Sequence, residues 1–431
     1  MTLLARLLVR VFFRTVEIVD GENLPDQGPV VLLANHTNGL VDGLLLMAAL
    51  GRFPCFLGKS TLFRIPPLWP FLKLAGVVPV HRAIDGAAGG DNASAFATSS
   101  ALLRRGGVVA VFPEGISHDE SQLQPLKTGA ARIALDAAAA DGGEEVVTVA
   151  VGLVYDAKAR FRSRALVQVG RPVSLEPWTE AAREDPRQAA RALTQALAGQ
   201  LAEVSPSFPS WAAAKRLSYM AEVAARPPGT SAAAEPRFAD KVEVAARLAD
   251  LDARQPGSLR QLSLDFATYE RDLNVLGVND AQVAAGHRRM RVRAATLLSA
   301  LEILLAVPVA VVGVLVHLIP FEIVKRAARR PVNEGIRSTV KVLGCFVLFA
   351  LTYLVLGVLV GRAFGPWAGL AAAVVAPLCG YTAVRLIERL HRLGGVLEGS
   401  RALRDRRDAL ATAARHRAAV VEDVRLALGC H

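Results

Sequence analysis

Aromatic residues make up only 6% of this 431-residue chain. No basic stretch alternates with Phe or Tyr as a base-stacking platform does, which argues against nucleic acid as a partner. Cysteine is scarcer still. Cys55, Cys345, Cys379 and Cys430 stand far apart without C-x-x-C spacing, so neither a disulfide framework nor a zinc site is expected. The glycine-rich stretch Gly86–Gly90 has no strand before it and no helix-opening fingerprint, and reads as a loop rather than a nucleotide site. The first twenty residues do not read as a secretory signal either, because Arg6, Arg10 and Arg14 interrupt the apolar run and no small-residue cleavage site follows.

What the chain has in quantity is apolar residues and arginine. Hydrophobic residues reach 52% and the mean hydropathy is +0.34, both high for a chain bathed only in water. The net charge is +11. Without a base-reading surface, that balance points to an anionic membrane surface and a phosphorylated substrate. The arginines at every fourth position near the start form one stripe of a helix whose other side is Leu, Val and Phe, so residues 1–14 are expected to be an amphipathic interfacial helix.

Composition divides the rest. Residues 15–184 read as α/β. Short β-branched runs (Val30–Leu33, Gly76–Val80, Val108–Phe112, Val146–Val154, Leu166–Val169) alternate with the helical stretches Ala93–Leu103 and Gly129–Ala140. Several runs are apolar without alternation, as in a sheet covered on both faces. Residues 185–293 read as a helical accessory region broken at Arg226–Pro236. Residues 294–384 hold three uncharged runs, Ile303–Phe321, Val342–Gly361 and Ala363–Val384, each about the 20 residues a bilayer-spanning helix needs. Basic residues flank the first run on both sides, so it is expected to span or, broken near Pro308 and Gly313, to be re-entrant, with the other two forming a hairpin. Residues 385–431 read as a basic helical tail. In this scheme the protein sits in a membrane, with its α/β part and tail on the cytoplasmic face.

The chemistry concentrates in Val30-Val-Leu-Leu-Ala-Asn-His-Thr-Asn-Gly-Leu-Val-Asp42. A strand runs out, Asn38-Gly39 turns, and Asp42 opens a helix, so His36 and Asp42 can face each other across the turn. An imidazole so placed takes a proton from a hydroxyl, while the carboxylate fixes its tautomer. Three further stretches follow: Gly76-Val-Val-Pro-Val-His-Arg82, then Phe112-Pro-Glu-Gly-Ile-Ser-His118 with Lys127-Thr-Gly-Ala130, then Val147 to Tyr155 leading to Arg160-Phe-Arg-Ser-Arg164.

In this order the four stretches resemble the glycerolipid acyltransferase family, which includes glycerol-3-phosphate and lysophosphatidic acid acyltransferases. The resemblance covers residues 15 to about 180. It implies a mixed α/β sheet flanked by helices, with the membrane helices following. It also implies His36 as general base, Asp42 as its orienting partner, and Arg82, Glu114, Gly115 and Lys127 around the acceptor's phosphate. Asn38, Pro113, Ser117 and His118 are secondary candidates. The donor is then acyl-CoA or acyl carrier protein, the acceptor a glycerol phosphate, and no metal or cofactor is required. Five residues separate His36 from Asp42 where the family usually has four. That spacing resembles fungal-type glycerol-3-phosphate and dihydroxyacetone-phosphate acyltransferases. The last block has Thr148 or Ala150 where the family usually has proline. The alternatives are a lysophospholipid acyltransferase and, in another class, a non-catalytic lipid-binding scaffold.

Overall fold

The computed structural model describes residues 2–64, 69–81, 92–139, 145–232, 234–285, 289–329, 334–402 and 406–429. They form two compact units, each built from separate chain segments: Met1–Ser207 with Ala328–Leu343, and Phe208–Ala327 with Gly344–His431.

The first unit begins with α1 (Thr2–Phe12), β1 (Phe13–Val19), β2 (Val30–Ala34), α2 (Leu40–Ala49) and β3 (Cys55–Lys59). There follow α3 (Trp69–Leu74), β4 (Val78–Val80), α4 (Ala93–Leu103), β5 (Val108–Val111) and α5 (Gly129–Ala138). Then come β6 (Val147–Tyr155), β7 (Ser163–Val169), β8 (Val173–Ser174), α6 (Glu176–Glu184) and α7 (Pro186–Val204). The strands make one sheet in the order β1-β7-β6-β2-β5-β3-β4, with β8 on β6. It is mixed: β2 pairs in parallel with β5 and β6, while β6 and β7 are antiparallel.

The uninterrupted apolar sequence of β2 has its cause in the two layers around it. Val30, Leu32 and Ala34 point into a core shared with Val9 and Phe12 of α1 and Leu45 and Leu46 of α2. Val31 and Leu33 point the other way, toward Ile133 and Ala134 of α5 and Leu193 and Leu197 of α7. Leu32 and Leu33 are fully buried, and trimming either to Ala costs about 2–5 kcal/mol. Because α7 packs on the sheet, this unit runs past the expected boundary at 184 to Ser207. Gly152 marks how close α7 comes. A Cβ there would lie 1.8 Å from the Val204 carbonyl oxygen.

The expected helix at the start of the chain forms, but it stops at Phe12, and Phe13 begins β1. Ala5, Val9 and Phe12 are buried, whereas Leu3 and Leu7 face outward beside Arg6 and Arg10.

The second unit contains α8 (Trp211–Ala225), α9 (Phe238–Arg254), α10 (Arg260–Leu276), α11 (Asp280–Ala285), α12 (Arg289–Ala327), most of α13 (Glu334–Phe364), α14 (Pro366–Ala402) and α15 (Arg407–Ala427). The expected basic helical tail packs into this unit. Leu410, Ala413, Val420 and Val424 of α15 enter one core with Leu217, Met220, Leu248 and Phe266. At its centre the Asp280 carboxylate accepts hydrogen bonds from Arg226 Nε (3.0 Å), Arg417 Nε (2.8 Å) and the Tyr269 hydroxyl (2.9 Å).

Glu302–Ala327, Arg337–Phe364 and Pro366–His391 are three helices long and apolar enough to cross a membrane. Large apolar side chains such as Leu304, Leu315, Leu354, Leu359, Leu370 and Leu378 point outward from them, which suits hydrocarbon as solvent. The break anticipated near Pro308 and Gly313 is absent, since α12 is helical through Pro308 and Pro320. The pair that packs along its length is α12 with α14, antiparallel. Glu302 bonds Arg389, Ala310 shares a cluster with Ala383 and Leu386, and Gly313 backs onto the Cys379 carbonyl. His317 bonds the Tyr353 hydroxyl through Nε2 (2.7 Å).

Candidate active site

Three neighbouring parallel strands, β5, β2 and β6, end along one edge of the sheet, the place where open α/β sheets hold their ligands. Register pairs Leu33 with Val111 and with Ala150. His36, just beyond β2, and Glu114, just beyond β5, therefore stand level with Leu153, and β6 runs on to Tyr155.

β2 ends at Ala34, and the side chain of Asn35 continues its ladder. Its Nδ2 donates to the Leu153 carbonyl (3.0 Å) and its Oδ1 accepts from the Leu153 N–H (2.7 Å). The main chain is thereby released to turn. Gly39 makes the turn at φ 57°, ψ −130°, a conformation that glycine adopts without steric cost. α2 then opens with Asp42 in its first turn, where a carboxylate also meets the positive end of the helix dipole.

Asp42 is fully buried and accepts three donors. His36 Nδ1 (2.9 Å) and the Asn38 N–H (2.7 Å) share Oδ2, and the Tyr155 hydroxyl (2.5 Å) takes Oδ1. A carboxylate against Nδ1 keeps the proton there, so Nε2 presents its lone pair. The imidazole face stacks on Phe112 at 4.1 Å, and the side chain remains 19% exposed beside the sealed carboxylate. Burial, the Asp42 charge and the hydrogen bond to it hold the Tyr155 hydroxyl protonated well above the ordinary tyrosine range. Tyr155 therefore donates and does not compete for the His36 proton.

Around this pair three amides of the turn have partners from elsewhere in the unit. The His36 N–H donates to Glu114 Oε1 (2.7 Å), the Gly39 N–H to Ser117 Oγ (3.0 Å) and the Leu40 N–H to Thr339 Oγ1 (3.2 Å). Glu114 itself is buried. Its second oxygen accepts from the Gln124 N–H (2.9 Å) and from His118 Nε2. His118 accepts the Glu120 N–H on Nδ1 (3.2 Å), and its own N–H bonds the His36 carbonyl. Glu114 and His118 together therefore brace the backbone that carries His36.

Pro113 is buried, and its carbonyl accepts the Lys127 N–H (2.8 Å). Gly115 has φ +75°, and a Cβ there would strike the Lys127 side chain at 2.9 Å. The exposed ammonium of Lys127 thus lies over the Glu114-Gly115 turn. Asn38 is buried and donates from Nδ2 to the Lys158 carbonyl (3.3 Å). Arg82 lies outside the described residues. Of the Arg160–Arg164 stretch, Arg162 donates to the Arg10 and Phe13 carbonyls and Arg164 bonds Asp156. Arg160 is exposed.

Sequence reasoning missed Asn35, Phe112, Tyr155 and Thr339. Tyr155 carried one usable signal, its place directly after the expected strand Val146–Val154. Thr339 carried none.

Residues 15–152 match the family model described as Acyltransferase, and this stretch is an acyltransferase domain. The chain is 35% identical over 122 residues to glycerol-3-phosphate O-acyltransferase 2 of Saccharomyces cerevisiae, covering 28% of this chain and 16% of the yeast protein. It is 32% identical over 124 residues to a chloroplastic 1-acyl-sn-glycerol-3-phosphate acyltransferase of Brassica napus, covering 28% and 34%. The chain thus spans about a third or less of the length of these relatives. Among solved structures, it is similar to the 1-acyl-sn-glycerophosphate acyltransferase of Thermotoga maritima, with 18% identity, a TM-score of 0.31, and coverage of 44% of this chain and 72% of that one.

Proposed function

We propose that this acyltransferase domain moves a fatty acyl group from a thioester, acyl-CoA or acyl carrier protein, to the hydroxyl of glycerol-3-phosphate or dihydroxyacetone phosphate. The observation that carries the reading is the His36–Asp42 bond, which leaves Nε2 as a base at the edge where the strands end. His36 Nε2 takes the proton of the acceptor hydroxyl as its oxygen attacks the thioester carbonyl. The C–S bond then breaks, and the departing sulfur takes that proton from the imidazolium. Asp42 stabilises the imidazolium while it exists. Lys127 over the Gly115 turn, with Arg82 by resemblance, meets the acceptor's phosphate. No prosthetic group enters this scheme.

The five-residue spacing between His36 and Asp42 and the similarity to a yeast glycerol-3-phosphate O-acyltransferase favour the smaller acceptor. Similarity to a plant 1-acyl-sn-glycerol-3-phosphate acyltransferase supports a second reading, in which the acceptor already carries one chain. The test is purified protein offered glycerol-3-phosphate, dihydroxyacetone phosphate and 1-acyl-glycerol-3-phosphate with each donor, alongside His36→Ala. Ester should form with one of the first two acceptors and vanish in the variant. Normal turnover by His36→Ala would overturn the mechanism.

A further inference from the structure

Resting on that reading, we infer that Thr339 is a positioning residue for the His36–Asp42 pair, so that the base of a membrane-length helix is a working part of the catalytic turn. The first N–H groups of any helix lack partners within it. A Ser, Thr, Asn or Asp at the N-cap usually supplies one. α2 has Gly39 at that position, which has no side chain to offer. Thr339 Oγ1 accepts the Leu40 N–H instead, at 3.2 Å, across 299 residues of sequence. Asp42 stands two residues further along the same turn.

The neighbours of Thr339 fasten the same place from other directions. Ser338 is fully buried and donates to the Lys158 carbonyl (3.0 Å), which also accepts Asn38 Nδ2. Lys341 Nζ donates to the Ala159 carbonyl, and Val342 is buried in the core that holds α2. Lys158 pairs with Asp119, in the loop that follows Glu114. One short stretch of α13 thus bonds the segments that follow His36 and Tyr155, and Lys158 ties the second of these to the loop after Glu114. The same helix runs on as the apolar stretch Arg337–Phe364. How residues 338–342 are seated then sets the alignment of the proton-transferring pair.

The test compares Thr339→Val, which keeps the shape and removes the acceptor, with Thr339→Ser, which keeps the hydroxyl. Two readouts are taken on the full-length protein: steady-state kinetics, and amide exchange by mass spectrometry over peptides covering residues 36–45. For Thr339→Val, exchange of those peptides should quicken about tenfold, as for one lost hydrogen bond. Its kcat should fall about tenfold, with KM for both substrates within about twofold, because alignment and not binding is lost. Thr339→Ser should match the wild type in both. Unchanged exchange in Thr339→Val, equal damage by Thr339→Ser, or a KM effect without a kcat effect would each overturn the proposal. If the wild type acylates none of the acceptors, the reaction assigned above fails, and the exchange comparison alone decides the role of Thr339.

Discussion

Asp42→Asn replaces one oxygen of a carboxylate that accepts three donors, and the outcome depends on which way the amide settles. With its oxygen toward His36 and Asn38, the NH2 meets the Tyr155 hydroxyl, which rotates to accept, and all three contacts survive. The reverse orientation sets NH2 against the Asn38 N–H, leaving that buried donor without an acceptor at a cost of about 1–3 kcal/mol. The first orientation wins by roughly tenfold or more, and His36 keeps its Nδ1 proton. What disappears is the negative charge beside the developing imidazolium. A charge-assisted bond exceeds a neutral one by about 1.5 kcal/mol, and a unit charge at ~4 Å with an effective dielectric of ~20 contributes about 4 kcal/mol. Those bounds correspond to losses of about 10-fold to 10³-fold in kcat. Inverting the tautomer would instead cost about 10⁴-fold. The assay is kcat for purified Asp42→Asn with saturating donor and acceptor, beside a thermal midpoint to show that it folds. A loss of ~10⁴ or greater would show that the Asn38 amide does not set the orientation, and an unchanged kcat would remove the pair from the chemistry altogether.

Tyr155→Phe takes one of the three donors from Asp42. Its kcat should fall about three- to tenfold, the size of one hydrogen bond, with KM little changed. The same tyrosine predicts a pH effect. Its folded pKa is raised, so its contribution to stability is complete below the unfolded value of about 10 and is lost as pH climbs toward the folded one. Thermal midpoints measured from neutral to alkaline pH should therefore fall more steeply above about pH 10 in the wild type than in Tyr155→Phe. In the helical unit, Asp280→Asn leaves Arg226 and Arg417 without their buried counter-charge. The cost is about 3–5 kcal/mol, read as a lower unfolding midpoint and faster proteolysis of α15.

Most of the sheet was legible because its central strands are short, β-branched and apolar without interruption, as in a doubly covered sheet. β1 escaped notice because Phe13-Arg-Thr-Val continues the arginine spacing of α1 without a break. β3, Cys-Phe-Leu-Gly-Lys, is too short and mixed to carry a period. At the site, His36 and Asp42 were legible because their partnership is local. Glu114 was recognisable as a residue, but its work was not, since the backbone it holds lies 78 residues earlier. Tyr155 and Thr339 act across 113 and 299 residues, and a pairing made only by the fold leaves no trace in local spacing. The tail was legible as a basic helix, but the burial of Arg417 against Asp280 was not, since its partner lies 137 residues earlier.

The return of α15 to the helices made long before it sets an order of events during synthesis. α8, α9, α10 and α11 leave the ribosome first, and the three long apolar helices follow before α15 appears. Until then Asp280 has Arg226 and Tyr269 but not Arg417, and the apolar side of Leu217, Met220 and Phe266 lacks its cover. The bundle therefore closes only after the apolar helices have emerged. A chain stopped before Arg406 would carry its apolar helices but leave an open bundle, a target for quality control.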